Sequence, residues 1–223
     1  MGTLLGATGL GRPILRAARE AGSQRGYVVA LTTVYLAWTL ADASRLVEAG
    51  AEILTGLRSE RSWQNPSLRA AASAVLAEVL LRRGELDAAA EREAEVALAV
   101  EGVGPLHRTS TLATVAAVRL ARGRPAEALE LARKARAERE ALRVFGFRDT
   151  FVRLIHLEAL LASGDVAGAR TPMSRAYARL LVHSSRIGDP ALRRSFLERV
   201  PENARALALA QRWLGDVGDH AFR

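Results

Sequence analysis

Three groups of residues in this 223-residue chain have types and spacings that invite a chemical reading. The first is Gly6-Ala7-Thr8-Gly9-Leu10-Gly11-Arg12, whose glycines would let a backbone fold closely around a pyrophosphate. That chemistry also needs a strand ahead of the loop and a group for the ribose. Only Thr3, Leu4 and Leu5 precede the loop, and Thr32 and Thr33 stand where a discriminating acid is wanted. Gly11-Arg12-Pro13 recurs as Gly123-Arg124-Pro125, so the plainer reading is a helix start, with Pro13 to Ala21 as the helix. The second group is His107, His156, His183 and His220, none of which pairs at a zinc-ligand spacing. His156 reads as a buried imidazole and His107 as part of a helix start. The third is acid pairs such as Glu91 and Glu95, which share one helix face and ordinarily mark a charged surface. Cysteine is absent, which removes thiolate nucleophiles, disulfides and cysteine zinc sites together. No serine sits in a nucleophile-elbow pattern. No catalytic, cofactor-binding or metal-ligating residue is assigned, and no enzyme activity is expected.

The elements behind these residues are helical. The chain has 43 Ala, 33 Leu and 31 Arg, so nearly half of it comes from three residue types that disturb a helix least. Val and Ile number 21 and aromatics make up 5%, which argues against a β-sandwich or barrel. The net charge is +8, and Lys134 is the single lysine. Around Glu130, Arg133, Lys134, Arg136, Glu138, Arg139 and Glu140 the two signs alternate at helical spacing, as on a solvated face. Nucleic-acid binding is therefore not favoured, since no basic run carries interleaved aromatics. The longest weakly polar stretch, Gly26 to Ala41, is shorter than the roughly 20 residues of a spanning helix. With no basic segment leading into an apolar core at the start, a cytoplasmic protein without membrane contact is expected.

An internal repeat sets the organisation. Ser44, Gly84, Gly123 and Gly164 are separated by 40, 39 and 41 residues. Five positions after each comes an alanine: Ala49, Ala89, Ala128 and Ala169. Seven positions before come Ala37, Ala77, Ala116 and, as the exception, Leu157. The residues ahead of those are Leu36, Leu76, Val115 and His156. Such a unit fits two helices joined by a tight turn, with the alanines marking close helix approach. Asn65-Pro66 and Gly104-Pro105 put proline where a first helical turn tolerates it. Pro172, inside the fourth unit's second helix, implies a restart or a bend there.

This pattern resembles the tetratricopeptide repeat (TPR), carried by Leu76, Ala77, Gly84 and Ala89, by Val115, Ala116, Gly123 and Ala128, and by Leu36, Ala37, Ser44 and Ala49. The units run near 40 residues where the family usually has 34, and the fourth departs at His156 and Leu157. The resemblance implies an all-α fold: a right-handed α-solenoid of antiparallel helix pairs with a C-terminal helical cap. Residues 1–25 would be a truncated repeat. Residues 26–187 would hold four pairs, at about 26–60, 64–103, 104–144 and 147–187. Residues 188–223 would form capping helices and a tail. In the cap, Asp189 can N-cap a helix with Pro190 at its first position, and Phe196, Leu197 and Val200 would cover the last repeat. A further helix over Glu202 to Leu214 would turn Leu207, Ala210 and Trp213 inward.

In such arrays the first helices line a peptide groove. The family columns place Trp38, Glu78, Ala117 and Glu158 there, a set that favours an apolar or basic segment. The expected function is a protein–protein interaction module with a protein or peptide partner and no cofactor. The similar repeat regions of multidomain bacterial Ser/Thr kinases and ATPase-type regulators imply the regulatory part of a larger bacterial signalling protein. The alternative is a piece of a Ser/Thr kinase whose catalytic domain lies elsewhere, since no kinase motif is present here. A nucleic-acid-binding helical array is a third reading, resting on charge alone.

Overall fold

Prolines punctuate this chain at helix starts, and the rest of the architecture follows from where they fall. The computed structural model describes residues 26–59, 66–87, 105–142 and 148–214. Among the described residues there are nine α-helices and no strand, so the fold class is all-α. They are α1 Gly26–Asp42, α2 Leu46–Ser59, α3 Pro66–Arg82, α4 Pro105–Ala121, α5 Pro125–Ala141, α6 Asp149–Ala162, α7 Val166–Ser185, α8 Pro190–Arg199 and α9 Pro201–Leu214. Five of the seven prolines stand first in a helix, where the missing N–H would have had no partner anyway. The glycine stretch 6–12, the expected helix Pro13–Ala21, the second helix of unit 64–103 with Ala89, and the tail after Leu214 lie outside the described residues. No helix among the described residues is long and apolar enough to cross a membrane.

Aspartates cap two helix starts, one of them also opened by a proline. Asp165 accepts a hydrogen bond from Gly168 N at 2.8 Å and opens α7. Asp189 accepts from Ala191 N and Leu192 N, with Pro190 at the first helical position, as the sequence leads one to expect. Of the restart or bend that Pro172 implies, the restart does not occur: α7 runs unbroken from Val166 to Ser185 with the proline inside it. An interior proline costs about 3 kcal/mol. Continuity keeps Met173, Tyr177 and Leu180 in register to be buried against neighbouring helices, which offsets that cost.

Four turns share one backbone solution. Ser44, Gly84, Gly123 and Gly164 all adopt the left-handed conformation, with φ of 60°, 79°, 71° and 80°. In each, that residue's N–H donates to the carbonyl three residues back, and the next N–H reaches five back: Ser44 to Ala41 and Arg45 to Leu40, Gly84 to Leu81 and Glu85 to Leu80, Gly123 to Leu120 and Arg124 to Arg119, Gly164 to Leu161 and Asp165 to Leu160. This is the Schellman closure, which satisfies carbonyls that a helix end would otherwise leave open. The period found in the sequence is thus a period of identical helix ends.

Burial follows the same register. Ala49, Ala128 and Ala169 are buried, as are Ala37, Ala77, Ala116 and Leu157, and so are Leu36, Leu76, Val115 and His156. Helix α1 packs on α2 and α3, α3 on α2 and α4, α4 on α5 and α6, and α6 on α5 and α7. Helix α9 packs on α6, α7 and α8, with Ala206 against Leu154, Leu180 and Leu197, and Ala210 against Leu157, Met173 and Tyr177. Trp213 departs from expectation. It is 39% exposed, with the Arg212 guanidinium 5.8 Å from its ring centroid. The small Ala210 and the partly buried Leu207 already face that core, and the ring stays at its edge.

A Cβ placed on Gly123 would meet nothing within 4 Å, so the cost of a side chain there is purely conformational. Gly123→Ala is expected to lower unfolding free energy by roughly 1–2 kcal/mol. Ser44→Gly, which relieves the same strain in the first turn, is expected to raise it by up to about 1 kcal/mol. Urea midpoints of the two variants read this directly, and midpoints moving in the same direction would contradict it.

Candidate functional site

A buried arginine organises the inner side of the fold. Arg148 precedes α6 in the left-handed conformation, with φ of 63° and ψ of 22°. A non-glycine residue there costs roughly 1–2 kcal/mol, so its neighbours must hold it in place. Its Nη2 donates to Glu78 Oε2 on α3 at 2.6 Å, and both side chains are almost wholly buried. Its guanidinium carbon lies 4.0 Å from the Phe151 ring centroid and 5.6 Å from that of Trp38. Burial pulls the Arg148 pKa down, but Glu78, Glu202 and Asp42 together outweigh burial and raise it, leaving a firm cation.

Acids and arginines continue around this pair. Arg82 lies 3.8 Å from Glu78 and 3.8 Å from Asp42 at the end of α1. Burial, then the nearby Glu202 and Glu78, push the Asp42 carboxyl up to about 7 against the pull of Arg148 and Arg82. The next residue along the chain, Asp149, engages other helices. Its carboxylate takes Arg153 at 3.0 Å, with Arg139 at 3.6 Å and Arg179 at 3.7 Å. Two adjacent residues of opposite sign therefore tie α6 to α3 on one hand and to α5 and α7 on the other.

Beside Glu78 opens a cavity of about 480 Å³. Glu78 and Arg82 from α3, Ala117 from α4, Phe151 and Glu158 from α6, and Arg205 from α9 contribute to its lining. Most of the remaining wall is Leu, Ile and Ala, so a largely apolar hollow carries ionic groups. Arg205 Nη2 donates to both oxygens of Glu158, at 2.6 and 2.7 Å. Burial raises the Glu158 carboxyl and Arg205 pulls it back down. The two partners differ in setting: the Arg205 side chain is 57% exposed and that of Glu158 is 23%. Such a pair is worth up to about 1 kcal/mol.

Three of the four residues placed in a groove by the repeat columns, Glu78, Ala117 and Glu158, thus line one cavity. Trp38 does not line it. The indole is 2% exposed, with the Arg148 guanidinium near its ring and Tyr35 6.2 Å away. Sequence reasoning missed Arg148, Arg205 and Phe151. In a chain with 31 arginines no local signal separates a buried arginine from a solvated one. Each carboxylate of the cavity wall already meets a guanidinium. His156 is 5% exposed, and burial with Arg136 and Arg133 pushes it to about 4, so it stands neutral. Among the described residues no group of three or more acids and histidines converges as a metal site.

Glu78→Gln leaves the Arg148 charge buried without its main counter-charge and is expected to cost about 3 kcal/mol in urea unfolding. The double variant Glu78→Leu/Arg148→Met, which removes both charges, is expected to recover most of that loss; equal losses would contradict the buried pair. Asp42 has a raised folded pKa, so folded protein binds more protons than unfolded protein between pH 4 and 7. Its contribution is full below pH 4 and is lost as pH rises through 7. His156, with a lowered folded pKa, acts in the opposite sense, losing stability as pH falls from 6.5 towards 4. Asp42→Asn is therefore expected to gain stability over wild type at pH 8 relative to pH 5. A constant difference across that range would contradict it.

Neither the models of known protein families nor the curated proteins include a match to this chain.

Proposed function

We propose that the chain is a protein–protein interaction module, a TPR-like α-solenoid of antiparallel helix pairs whose peptide groove is the cavity beside Glu78. The observation that carries this reading is the coincidence of repeat and cavity. Residues at equivalent places in three successive first helices, Glu78, Ala117 and Glu158, line the same hollow. The first helices α1, α3, α4 and α6 touch in that order, with α9 following on α6, as stacked units with a terminal cap would. Four identical Schellman turns at near-equal spacing agree with it. A role as the regulatory part of a larger bacterial signalling protein belongs to the same proposal, resting on the repeat resemblance alone.

The test uses a library of displayed random dodecapeptides. Ala121 and Ala162 are exposed alanines of the cavity wall, so Ala121→Trp and Ala162→Trp should fill the hollow without overpacking the core. Wild type is expected to enrich a recurring peptide sequence that both variants, melting as wild type does, bind at least tenfold more weakly. Equal binding to wild type and both variants would overturn the reading.

A further inference from the structure

The two carboxylates in the cavity wall are each held by an arginine, and the two pairs are not equivalent. Glu78 and Arg148 are both buried, and Arg148 is further fixed by Phe151. Exchange there would strand a charge inside the fold. Arg205 Nη2 bridges both oxygens of Glu158, in a pair whose acid is the more enclosed partner and whose arginine is the more exposed. Arg205 can return to water at little cost, whereas Glu158 left alone would keep a carboxylate that burial disfavours. The pair can therefore exchange its cation more readily than its anion.

From this asymmetry we infer that the cavity recognises a peptide segment presenting an arginine beside a large apolar side chain, the incoming guanidinium taking Glu158 in place of Arg205. The inference rests on the groove reading above and names its ligand class. Arg205 itself demonstrates the fit, since a guanidinium already sits on both oxygens of Glu158. Leu81, Leu120 and Ile155 offer the apolar neighbour a wall. A volume of about 480 Å³ suits one or two side chains, not a folded element. An anionic ligand aimed at Arg205 would instead have to leave Glu158 without its cation. Arg205 acts as an internal competitor, lending the cap helix α9 a part in setting affinity.

The same displayed dodecapeptides provide the test, carried out on the full chain. Peptides selected on wild type are expected to carry arginine next to a large apolar residue. A synthetic peptide of that sequence should bind Glu158→Gln about tenfold more weakly and Arg205→Ala several-fold more tightly. Replacing its arginine with neutral citrulline should cost about tenfold on wild type, a comparison that needs no variant, and nothing further on Glu158→Gln that melts as wild type does. Selected peptides that lack arginine, ignore Glu158→Gln, or are acidic and lost on Arg205→Ala would overturn the inference. If the cavity-filling tryptophans still block such peptides, the groove reading survives without it. Failure to select any peptide would overturn both.

Discussion

The Arg148–Glu78 pair is the constraint to which most of the inner surface is fitted. A guanidinium removed from water needs a counter-charge and polar or aromatic contact on its remaining faces. Glu78 provides the first, and Phe151 and Trp38 the second. That requirement explains the left-handed backbone at Arg148, which aims a side chain from the start of α6 at a carboxylate on α3. It also accounts for the burial of Trp38, whose ring stands close to the cation. Arg82, Asp42 and Glu202 then adjust to a charge already in place.

Arginine was the least informative feature of the composition, and the structure gives part of it a purpose. Arg139, Arg148, Arg153 and Arg205 all meet carboxylates across or along helices. A planar fork of donors can hold two oxygens with two nitrogens at once, as Arg124 does with Glu127 and Arg45 with Glu48, where a lysine would offer a single point of charge. Asp149, almost buried, gathers three such groups from three helices. Part of the arginine content thus serves internal cross-linking, and because each such pair is neutral the +8 excess resides in other cations.

What could be read from residues alone was local and periodic. The helix ends were legible because Gly84, Gly123 and Gly164 take a backbone conformation that other residues avoid. Ser44 was found only because the other three set its register. The buried alanines and the proline starts followed from the same logic. Three cavity residues were legible as columns of a repeat, although nothing in the columns revealed which partners they meet. Trp38 shows the limit. Whether a ring at a given helix position faces a groove or a cation depends on a residue 110 positions away in the chain. Pro172 shows another, since a local penalty yielded to the burial of Met173 and Tyr177.

Chains built from stacked helix pairs commonly gain stability from each unit and its immediate neighbour, so they can open one unit at a time. Glu78 and Arg148 lie 70 residues apart, with the whole of α4 and α5 between them. Their contact bypasses the intervening pair and closes a long loop of chain, whose entropy must be met before the bond is gained. Such a tie slows the search for the native arrangement, because distant segments must meet early or wait. Once made, it also links the fate of the second unit to that of the fourth. Fraying that begins at α6 would strip the carboxylate on α3 of its closest counter-charge, so partial opening is penalised and the described helices are drawn towards a single cooperative transition.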